Sequence, residues 1–338
     1  MKKFLALIIA VVLAVSGLSV ISITANAATI FISGNYEYTV NSDDTVNIAG
    51  YKGIATDITI PSQILNKNVV KISDNSFYNN STLTSVKIPN TIKVVGSMAF
   101  HNCTKLSKVT LPSNLTEIGY NAFEGTTALT TITIPKTVTT AGNNVFNGSA
   151  LKTAAIENGA TAVADNLFSN AKNLTKVTIP NTVKKIGSMS FYDCTKLSSV
   201  TLPNTLTSIE TSAFKNCQAM KSITIPKSVT YFGTTAVGYS DGRVIDGFII
   251  YGYKNTKAQT YATKNKITFK ALQEETVPVG DINNDGKIDV SDVTYLQMYL
   301  SGDSSYVIKN TKAADANGDG KIDVADVTQI QNIIASAA

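Results

Sequence analysis

Apolar residues recur along the middle of the chain with a period of 23 positions. The segment LTKVTIPNTVKKIGSMSFYDCTK at 174–196 is followed by LSSVTLPNTLTSIETSAFKNCQA at 197–219, with apolar residues at the same places. Phenylalanines keep this register apart from one step of 22, at Phe77, Phe100, Phe123, Phe146, Phe168, Phe191 and Phe214. Prolines mark the matching turns at Pro61, Pro89, Pro112, Pro135, Pro180, Pro203 and Pro226. A fixed period of this length predicts a repeat array.

Each repeat predicts a short strand, a proline turn, a second extended stretch and a corner containing phenylalanine. Proline ends the first strand because it cannot donate to the next ladder bond. A single repeat cannot bury its Leu, Val, Ile and Phe side chains, whereas stacked repeats enclose them in continuous ladders. The pattern therefore predicts a mostly β solenoid of about eight 23-residue coils within residues 58–272.

The consensus L-x-x-I-x-I-P-x-x-V-x-x-I-G-x-x-A-F-x-x-C resembles the BspA-like (treponemal-type) leucine-rich repeat family. The stretch GFIIYGYKNTKAQTYATKNKITFKAL at 247–272 is similar to the C-terminal cap of that family, and residues 28–57 are assigned to an N-terminal cap. The resemblance implies a secreted or surface protein that binds other proteins or cells. Glu157 in place of proline and Val237 in place of the last phenylalanine are local departures from the pattern.

One polar column of the aligned repeats is nearly all threonine and is predicted to line one face of a sheet. Its members are Thr59, Lys87, Thr110, Thr133, Ala155, Thr178, Thr201 and Thr224. The β-propensity of a half-exposed strand position accounts for most of this pattern. The alternative is a ligand face for a partner protein or an ordered glycan, formed by Thr110, Thr133, Thr178, Thr201 and Thr224, with Lys108 and Lys176 making it mildly basic.

The single histidine and the three cysteines also occupy repeat columns. His101 aligns with unlike residues, including Tyr78, Glu124 and Lys215, which predicts an exposed, variable turn and argues against a catalytic base. The cysteines, Cys103, Cys194 and Cys217, share one column, which predicts small buried side chains. Their odd number excludes a fully paired disulfide framework, although a bridge between Cys194 and Cys217 stays open as a lesser alternative.

The N-terminal segment predicts export from the cell. Lys2 and Lys3 precede an apolar run, and Ala25-Asn26-Ala27 fits a signal-peptidase site, so residues 1–27 are interpreted as a signal peptide. The alternative is an uncleaved anchor, because the run approaches the ~20 residues that span a bilayer. Gly17, the serines of the run and the cleavage site favour secretion, which leaves an extracellular chain with no membrane segment.

Two twelve-residue loops near the C-terminus carry the chemistry of a calcium site. DINNDGKIDVSD at 281–292 and DANGDGKIDVAD at 315–326 place oxygen-bearing residues at alternate positions, as Ca²⁺ requires. The predicted ligands are Asp281, Asn283, Asp285, Lys287 (carbonyl), Asp289 and Asp292 in the first loop, and Asp315, Asn317, Asp319, Lys321 (carbonyl), Asp323 and Asp326 in the second. Gly286 and Gly320 allow the sharp turn. The sequence therefore predicts two bound Ca²⁺ ions.

The flanks of these loops differ from those of an ordinary EF-hand. Pro278 and Gly280 leave no room for a helix before the first loop, whereas an apolar stripe after each loop predicts a following helix. The stripes are Val293, Leu296 and Leu300, and Val327, Ile330 and Ile334. Two loop–helix motifs with Asp at position twelve resemble a type I dockerin, a small all-α domain assigned to 279–338 after a linker at 273–278.

The dockerin resemblance implies a partner, a cohesin module on the scaffolding protein of a cellulosome that takes part in polysaccharide breakdown. It also implies that positions ten and eleven of each loop and residues of the following helices contact that partner. These residues are Val290, Ser291, Gln297 and Met298, and Val324, Ala325, Gln331 and Asn332. For Val290 and Val324 the alternative is packing in the core.

Composition and charge narrow the function classes. The chain of 338 residues has no Trp, and its formal net charge of +5 hides two unlike parts. Residues 28–277 carry 23 basic and 15 acidic residues, a net +8, whereas residues 278–338 carry 4 and 9, a net −5. Lys2 and Lys3 of the predicted signal peptide supply the other +2. The mild basicity of the whole chain is therefore not a nucleic-acid signal.

These features favour a non-catalytic binding or adhesion protein anchored by its dockerin. The alternative is an accessory component of the same complex that binds or degrades polysaccharide. A glycosidase needs two carboxylates at a defined separation, and the glutamates of the array, Glu117, Glu124, Glu157 and Glu210, occupy different columns. The sequence leaves the ligand of the repeats, the particular cohesin and the use of one or both dockerin halves undetermined.

Overall fold

The computed structural model describes residues 20–21, 29–273 and 278–337, which divide into two compact units, Met1–Leu272 and Gln273–Ala338. The predicted signal peptide lies outside the described residues except for Val20–Ile21, and residues 274–277 of the predicted linker lie outside them too. None of the described helices is long and apolar enough to cross a membrane.

The first unit is a β-solenoid of about ten turns, which confirms the predicted fold class. Most repeats contribute a first strand and a short second strand, and equivalent strands of successive repeats pair in parallel. The two sets of strands, called here the first row and the second row, run along the unit.

The first row is divided into three sheets. These are β5 (Asp57–Thr59), β8 (Ser85–Lys87) and β10 (Lys108–Thr110); β12 (Thr131–Ile134), β14 (Thr153–Ile156) and β16 (Lys176–Thr178); and β19 (Ser222–Thr224), β23 (Ile249–Gly252) and β24 (Thr268–Ala271). The repeat at 197–219 forms no first strand, so Thr201 lies outside the sheets. The predicted column thus forms an interrupted surface.

The second row is divided into two sheets and joined to the N-terminal strands. The first sheet holds β1 (Val20–Ile21), β2 (Ile30–Ser33), β3 (Tyr36–Val40), β4 (Val46–Tyr51), β7 (Lys67–Ile72), β9 (Val94–Val95), β11 (Glu117–Ile118) and β13 (Thr140–Ala141), and β6 (Gln63–Ile64) pairs with β7. The second holds β15 (Ala162–Val163), β17 (Lys185–Ile186), β18 (Ser208–Ile209) and β20 (Tyr231–Phe232). Because β2, β3 and β4 pair antiparallel, they close the N-terminal end of the parallel array.

The C-terminal end of the solenoid departs from the repeat. A two-stranded hairpin, β21 (Tyr239–Ser240) and β22 (Arg243–Val244), precedes β23, and helix α1 (Lys257–Lys264) lies between β23 and β24 in the chain. α1 buries Ala258, Tyr261 and Ala262 against the apolar interior. It therefore covers the last ladder residues, which have no further repeat to pack on.

The phenylalanine column forms the centre of the core. The rings from Phe77 to Phe214 are buried and stack in order, with neighbouring centroids 4.8–5.8 Å apart. Tyr51 continues the stack at the N-terminal end, 5.4 Å from Phe77. Stacking at this spacing stabilises the array beyond simple burial of the rings.

The second unit is small and helical. Helices α2 (Val290–Leu300), α3 (Thr311–Ala314) and α4 (Val324–Ala337) enclose a core of Ile282, Val293, Leu296, Ala314, Val327 and Ile330. α2 and α4 follow the two loops as predicted, and their stripes supply most of this core. The short helix α3 before the second loop was not predicted; Asn310 caps it by accepting hydrogen bonds from the N–H groups of Lys312 and Ala313.

Candidate functional site

The first acidic loop is shaped by side chains that accept hydrogen bonds from its own backbone. Asp281 accepts from the N–H groups of Asp285 and Gly286, both at 3.1 Å. Asn283 accepts from Asp285 N–H at 2.9 Å, and Asp285 accepts from Lys287 N–H at 2.9 Å. Short polar side chains commonly bond the backbone two residues on. Alternate residues thus hold the loop in a tight turn.

The end of this loop is joined to the start of helix α2. Asp289 is the N-cap and accepts from Ser291 N–H, while the Asp292 carboxylate accepts from Asp289 N–H at 3.0 Å, which completes a capping box. The other oxygen of Asp292 accepts from the N–H groups of Ile282 and Asn283 at 2.8 and 3.1 Å. The buried Asp292 therefore clamps the beginning of the loop to the helix. Bonds from the hydroxyl and N–H of Ser291 lower the pKa of Asp289.

The second loop repeats this arrangement. Asn317 accepts from Asp319 N–H at 2.8 Å and Asp319 accepts from Lys321 N–H at 2.9 Å. Asp326 accepts from Asn317 N–H at 3.1 Å and Asp323 N–H at 2.9 Å. The two predicted sets of ligand residues are thus brought together in two similar loops, 34 positions apart.

The donor set of these loops suits a hard cation. Each loop offers four carboxylates, an amide oxygen and a backbone carbonyl, the ligand types that Ca²⁺ prefers. In the second loop the Oδ1 atom of Asp315 is buried without a hydrogen-bond partner, and a cation would satisfy it. No three Asp, Glu, His or Cys groups in the described residues converge on one metal position by themselves. The loops would therefore also need Asn283 or Asn317 and the carbonyl of Lys287 or Lys321.

The residues assigned to partner binding lie on the surface of the second unit. Val290 and Val324 occupy equivalent places and are 69% and 73% exposed, which excludes the core-packing alternative for both. Ser291, Gln297, Ala325, Gln331 and Asn332 are exposed, and Met298 is half-buried. Each valine begins its helix, and its carbonyl accepts from Thr294 or Thr328 one turn later. The unit thus exposes one valine side chain at the start of each of its two long helices.

The threonine column of the solenoid is exposed along its length. Thr110, Thr133, Thr178, Thr201 and Thr224 all reach solvent. A groove of about 510 Å³ lies where β10 and β12 fail to pair, and it contains Thr110, Thr133 and Ala155 with Lys108 and Glu157 at its edge. The sequence did not reveal the interruption of the sheet, and this interruption forms a groove in this face.

His101 is less exposed than its variable column predicts, so that expectation is wrong. Its ring stacks on Tyr78 with centroids 4.9 Å apart, and its Nε2 lies 3.5 Å from Glu124. Glu124 also accepts from the side-chain amide of Asn147 at 2.7 Å. Residues of one column contact each other across neighbouring repeats. The contacts of His101 with Tyr78 and Glu124 reduce its exposure, and the alignment of the repeats does not reveal them.

The three cysteines are buried and free. Each thiol donates to the carbonyl of a phenylalanine 26 residues earlier: Cys103 to Phe77, Cys194 to Phe168 and Cys217 to Phe191. Burial raises the pKa of Cys103 and Cys217 to about 12, and raises that of Cys194 as well. These thiols are protonated packing groups and not nucleophiles.

Comparison with known families matches both units. The family of the BspA type leucine rich repeat region matches in six copies, at residues 54–174 and 161–242. The dockerin type I domain matches residues 279–335. Domains of that type bind calcium.

Solved structures of bacterial leucine-rich repeat proteins are similar to the chain. A leucine-rich repeat protein from Bacteroides ovatus is 25% identical, with a TM-score of 0.52 over 71% of this chain and 67% of that one. A leucine rich repeat protein from T. pallidum is 26% identical, with a TM-score of 0.48 over 71% and 97%. A leucine rich cell surface protein from Faecalibacterium prausnitzii is 24% identical, with a TM-score of 0.45 over 75% and 97%. No curated protein matches the chain.

Proposed function

This chain belongs to the BspA-type leucine-rich repeat family and ends in a type I dockerin domain, and on that basis we propose that it is a secreted, non-catalytic binding protein of a cellulosome-type complex. Its dockerin binds a cohesin module in a calcium-dependent manner, and its solenoid holds a further partner. The leucine-rich repeat and the dockerin are both non-catalytic modules, which supports the non-catalytic assignment.

The exposure of Val290 and Val324 carries the proposal for the dockerin. Two β-branched apolar side chains that are 69% and 73% exposed at equivalent positions contribute nothing to the core of this unit. Buried apolar anchors supply much of the binding energy of protein interfaces. Ser291 and Ala325 follow the valines, and Gln297, Met298, Gln331 and Asn332 on the helices extend the same proposed surface.

The proposed role of calcium is to hold these surfaces in place. Asp281, Asn283, Asp285, Asp289 and Asp292, with the Lys287 carbonyl, would hold one ion, and the equivalent set from Asp315 to Asp326 would hold the second. A bound cation neutralises the four carboxylates of each loop. Because Asp289 and Asp292 also begin α2, a loop that keeps its shape keeps Val290 in place.

Binding of the full chain to a panel of cohesin modules, with calcium or with EDTA, tests this proposal. We expect binding in the presence of calcium and none in EDTA. V290D/V324D should lose affinity at least about tenfold, since the charge would face an apolar partner surface. V307D is the matched control, because Val307 is 58% exposed but outside the assigned surface. The proposal would be contradicted if the chain bound none of the cohesins, or if V290D/V324D and V307D lost the same affinity.

We propose that the threonine column is the partner-binding face of the solenoid. Its hydroxyl groups are exposed, and the groove beside Lys108 and Glu157 offers charges of both signs to a protein ligand. An accessory role in polysaccharide binding is the second candidate, favoured by the periodic row of hydroxyl groups.

Pull-down of the full chain on insoluble cellulose and affinity capture from culture supernatant distinguish these candidates. T133K/T178K/T201K should abolish whichever interaction uses the column. As a control, T116K/T139K/T207K places the same charge at exposed positions directly before three second-row strands. Retained binding by the first variant would exclude the column as the ligand face. Release of sugar in a polysaccharide-hydrolysis screen would overturn the non-catalytic assignment.

The proposed secretion rests on the sequence of residues 1–27. We expect the exported protein to begin at Ala28, which N-terminal sequencing of the protein from culture supernatant would measure. A chain that remains with the membrane and keeps Lys2 would support the uncleaved anchor instead.

A further inference from the structure

The second row of the solenoid ends at an open strand edge. Beyond β19, the first row continues through two more strands, β23 and β24. Among the described strands, the second row stops at β20, which pairs there with β18 alone. The C-terminal cap thus extends one row and leaves the other without a following strand.

The open edge can be identified from the hydrogen bonds that each repeat donates to the one before it. Lys184 carbonyl accepts from Thr207 and Ser208 N–H, and Thr207 carbonyl accepts from Thr230 and Tyr231 N–H at 2.9 and 3.2 Å. A second series runs in parallel: Ile186 carbonyl accepts from Glu210 N–H, and Ile209 carbonyl accepts from Gly233 N–H at 2.8 Å.

The next acceptors in these two series are the carbonyls of Thr230 and Phe232. Neither receives a hydrogen bond from any described residue. Unpaired groups on a strand edge are a template for pairing with another chain. These two carbonyls are therefore ready to accept hydrogen bonds at the spacing that every earlier repeat uses.

A groove lies along this edge. Its volume is about 410 Å³, within the range of about 300–1,000 Å³ typical of ligand pockets. One wall is formed by β20 and the residues on either side of it, from Thr230 to Thr235, and the other by Lys257, Thr260 and Lys264 of α1. Tyr231, which is 52% exposed, adds an aromatic surface.

The charge of the groove selects its occupant. Lys257 and Lys264 lie seven residues apart and therefore on one face of α1. Both are exposed, and neither has a carboxylate within 4 Å among the described residues. The lining contains no Asp or Glu. An occupant that supplies negative charge is favoured over a neutral or basic one.

We propose that this groove binds an extended acidic peptide, which adds a parallel strand to β20. Its backbone N–H groups would bond the carbonyls of Thr230 and Phe232 in the register of a further repeat, and its carboxylates would pair with Lys257 and Lys264. Addition of a strand to an open edge takes affinity from backbone bonds and selectivity from side chains. This surface is separate from the threonine column and from the dockerin.

A random twelve-residue peptide library displayed on phage, selected on the full chain in calcium, tests the proposal. We expect acidic peptides to be enriched, and their synthetic forms to bind K257E/K264E at least about tenfold more weakly than the original protein. K152E/K221E is the matched control, because it makes the same charge change at exposed lysines outside the groove and should keep the affinity. K257Q/K264Q should give an intermediate loss, and melting temperatures of all variants exclude unfolding as the cause.

N-methylation of the peptide backbone separates strand addition from simple charge attraction. Methylating the amides that donate to Thr230 and Phe232 should reduce affinity about tenfold, while methylating the one amide between them should not. Any one of the following results would overturn the proposal: no acidic enrichment, equal binding to K257E/K264E and K152E/K221E, or affinity that no N-methyl group changes. Binding of trigalacturonate to the groove without peptide binding would also overturn it, in favour of an acidic glycan site.

Discussion

Nearly every corner of the solenoid places two residues in the left-handed region, four positions apart. Asn75 and Asn79 have φ of 62° and 57°, and most equivalent positions are Asn or Gly. These residue types tolerate that backbone best. Met98 and Met189 depart from this preference, with φ of 54° and 53°, and the other departures are Asp193, Ser212 and Thr235. The two methionines therefore carry a conformational cost that the asparagines of the column avoid.

Met98→Asn should stabilise the solenoid unit by about 1 kcal/mol, because a left-handed backbone costs an ordinary residue about 1–2 kcal/mol and Met98 is not part of the apolar core. The free energy of unfolding in urea would measure this, with Met189→Asn as an independent repeat of the test. Met220→Asn is the contrasting control, since Met220 is buried and its replacement should destabilise. A loss of stability in Met98→Asn would show that its side chain contributes more than the backbone costs.

The buried thiols predict an alkaline loss of stability. Their pKa is raised by burial, to about 12 for Cys103 and Cys217, so the native state keeps protons that an unfolded thiol gives up near its ordinary value of 9.0. The contribution of each thiol to the free energy of unfolding is unchanged below pH ~9. It decreases as pH rises toward ~12, by up to about 1.4 kcal/mol per pH unit for each thiol. Unfolding curves from pH 8 to 11, for the original protein and the triple Cys→Ala variant, would measure it.

The triple variant starts from a lower stability because it removes buried sulfur atoms. Its stability should nevertheless decrease less steeply above pH ~9. Parallel curves for the two proteins would assign the alkaline loss to other groups, such as Tyr36 and Tyr261, whose pKa values burial also raises to about 12.

At the scale of elements, the phenylalanine stack joins the repeats. Each internal ring contacts the ring before it and the ring after it, and Phe146 lies 5.6 Å from Phe123 and 5.8 Å from Phe168. In a repeat array, stability is approximately a sum of repeat terms and nearest-neighbour terms. Loss of an internal ring removes two neighbour contacts as well as its own burial.

Phe146→Ala should reduce the free energy of unfolding by about 3–5 kcal/mol, the usual cost of deleting a buried aromatic ring. Thr133→Ala changes an exposed residue in the same part of the array and should alter the free energy of unfolding by no more than about 0.5 kcal/mol. Chemical denaturation followed by far-UV circular dichroism would measure both. Similar small losses in the two variants would show that the stack is not the main link between repeats.

The two loop–helix motifs combine metal chemistry with helix capping. In the first motif the ninth and twelfth residues, Asp289 and Asp292, form the capping box of α2. Asp323 and Asp326 make the same bonds at the start of α4. The proposed calcium ligands therefore also determine where each helix begins, so the state of the loop and the position of Val290 or Val324 change together.

At the scale of the whole molecule, the solenoid and the dockerin have separate cores and opposite charge. The solenoid core extends from Tyr38 to Ile267, whereas the second unit has its own small cluster around Leu296 and Ile330. A small core is stabilised more by a bound metal than a large one is, since few apolar contacts oppose the conformational entropy of its chain.

EDTA should therefore unfold the dockerin unit and spare the solenoid. In calcium we expect the full chain to show two thermal transitions, of which EDTA abolishes only the smaller, because the four carboxylates of each loop then repel one another. Calorimetry of the full chain would measure this, and excess calcium should restore the transition. If both thermal transitions were unchanged by EDTA, the proposed role of the loops would be contradicted.

The sequence by itself determined the repeat, the buried ladder and the acidic loops, because each is a short pattern whose physics is local. A period of 23 residues requires stacking to bury its apolar side chains, and alternate oxygen-bearing residues in a glycine-containing loop suit calcium wherever the loop is placed. For the same reason the burial of the cysteines and the exposure of the threonine column followed from their columns.

Only the tertiary structure decided the features that depend on how successive turns meet. It interrupted the first row between β10 and β12, placed His101 between Tyr78 and Glu124, and left the carbonyls of Thr230 and Phe232 open beside α1. It also showed that Val290 and Val324 face solvent, which a helical stripe cannot distinguish from packing. These outcomes depend on distances between residues far apart in the chain, and a one-dimensional pattern does not contain those distances.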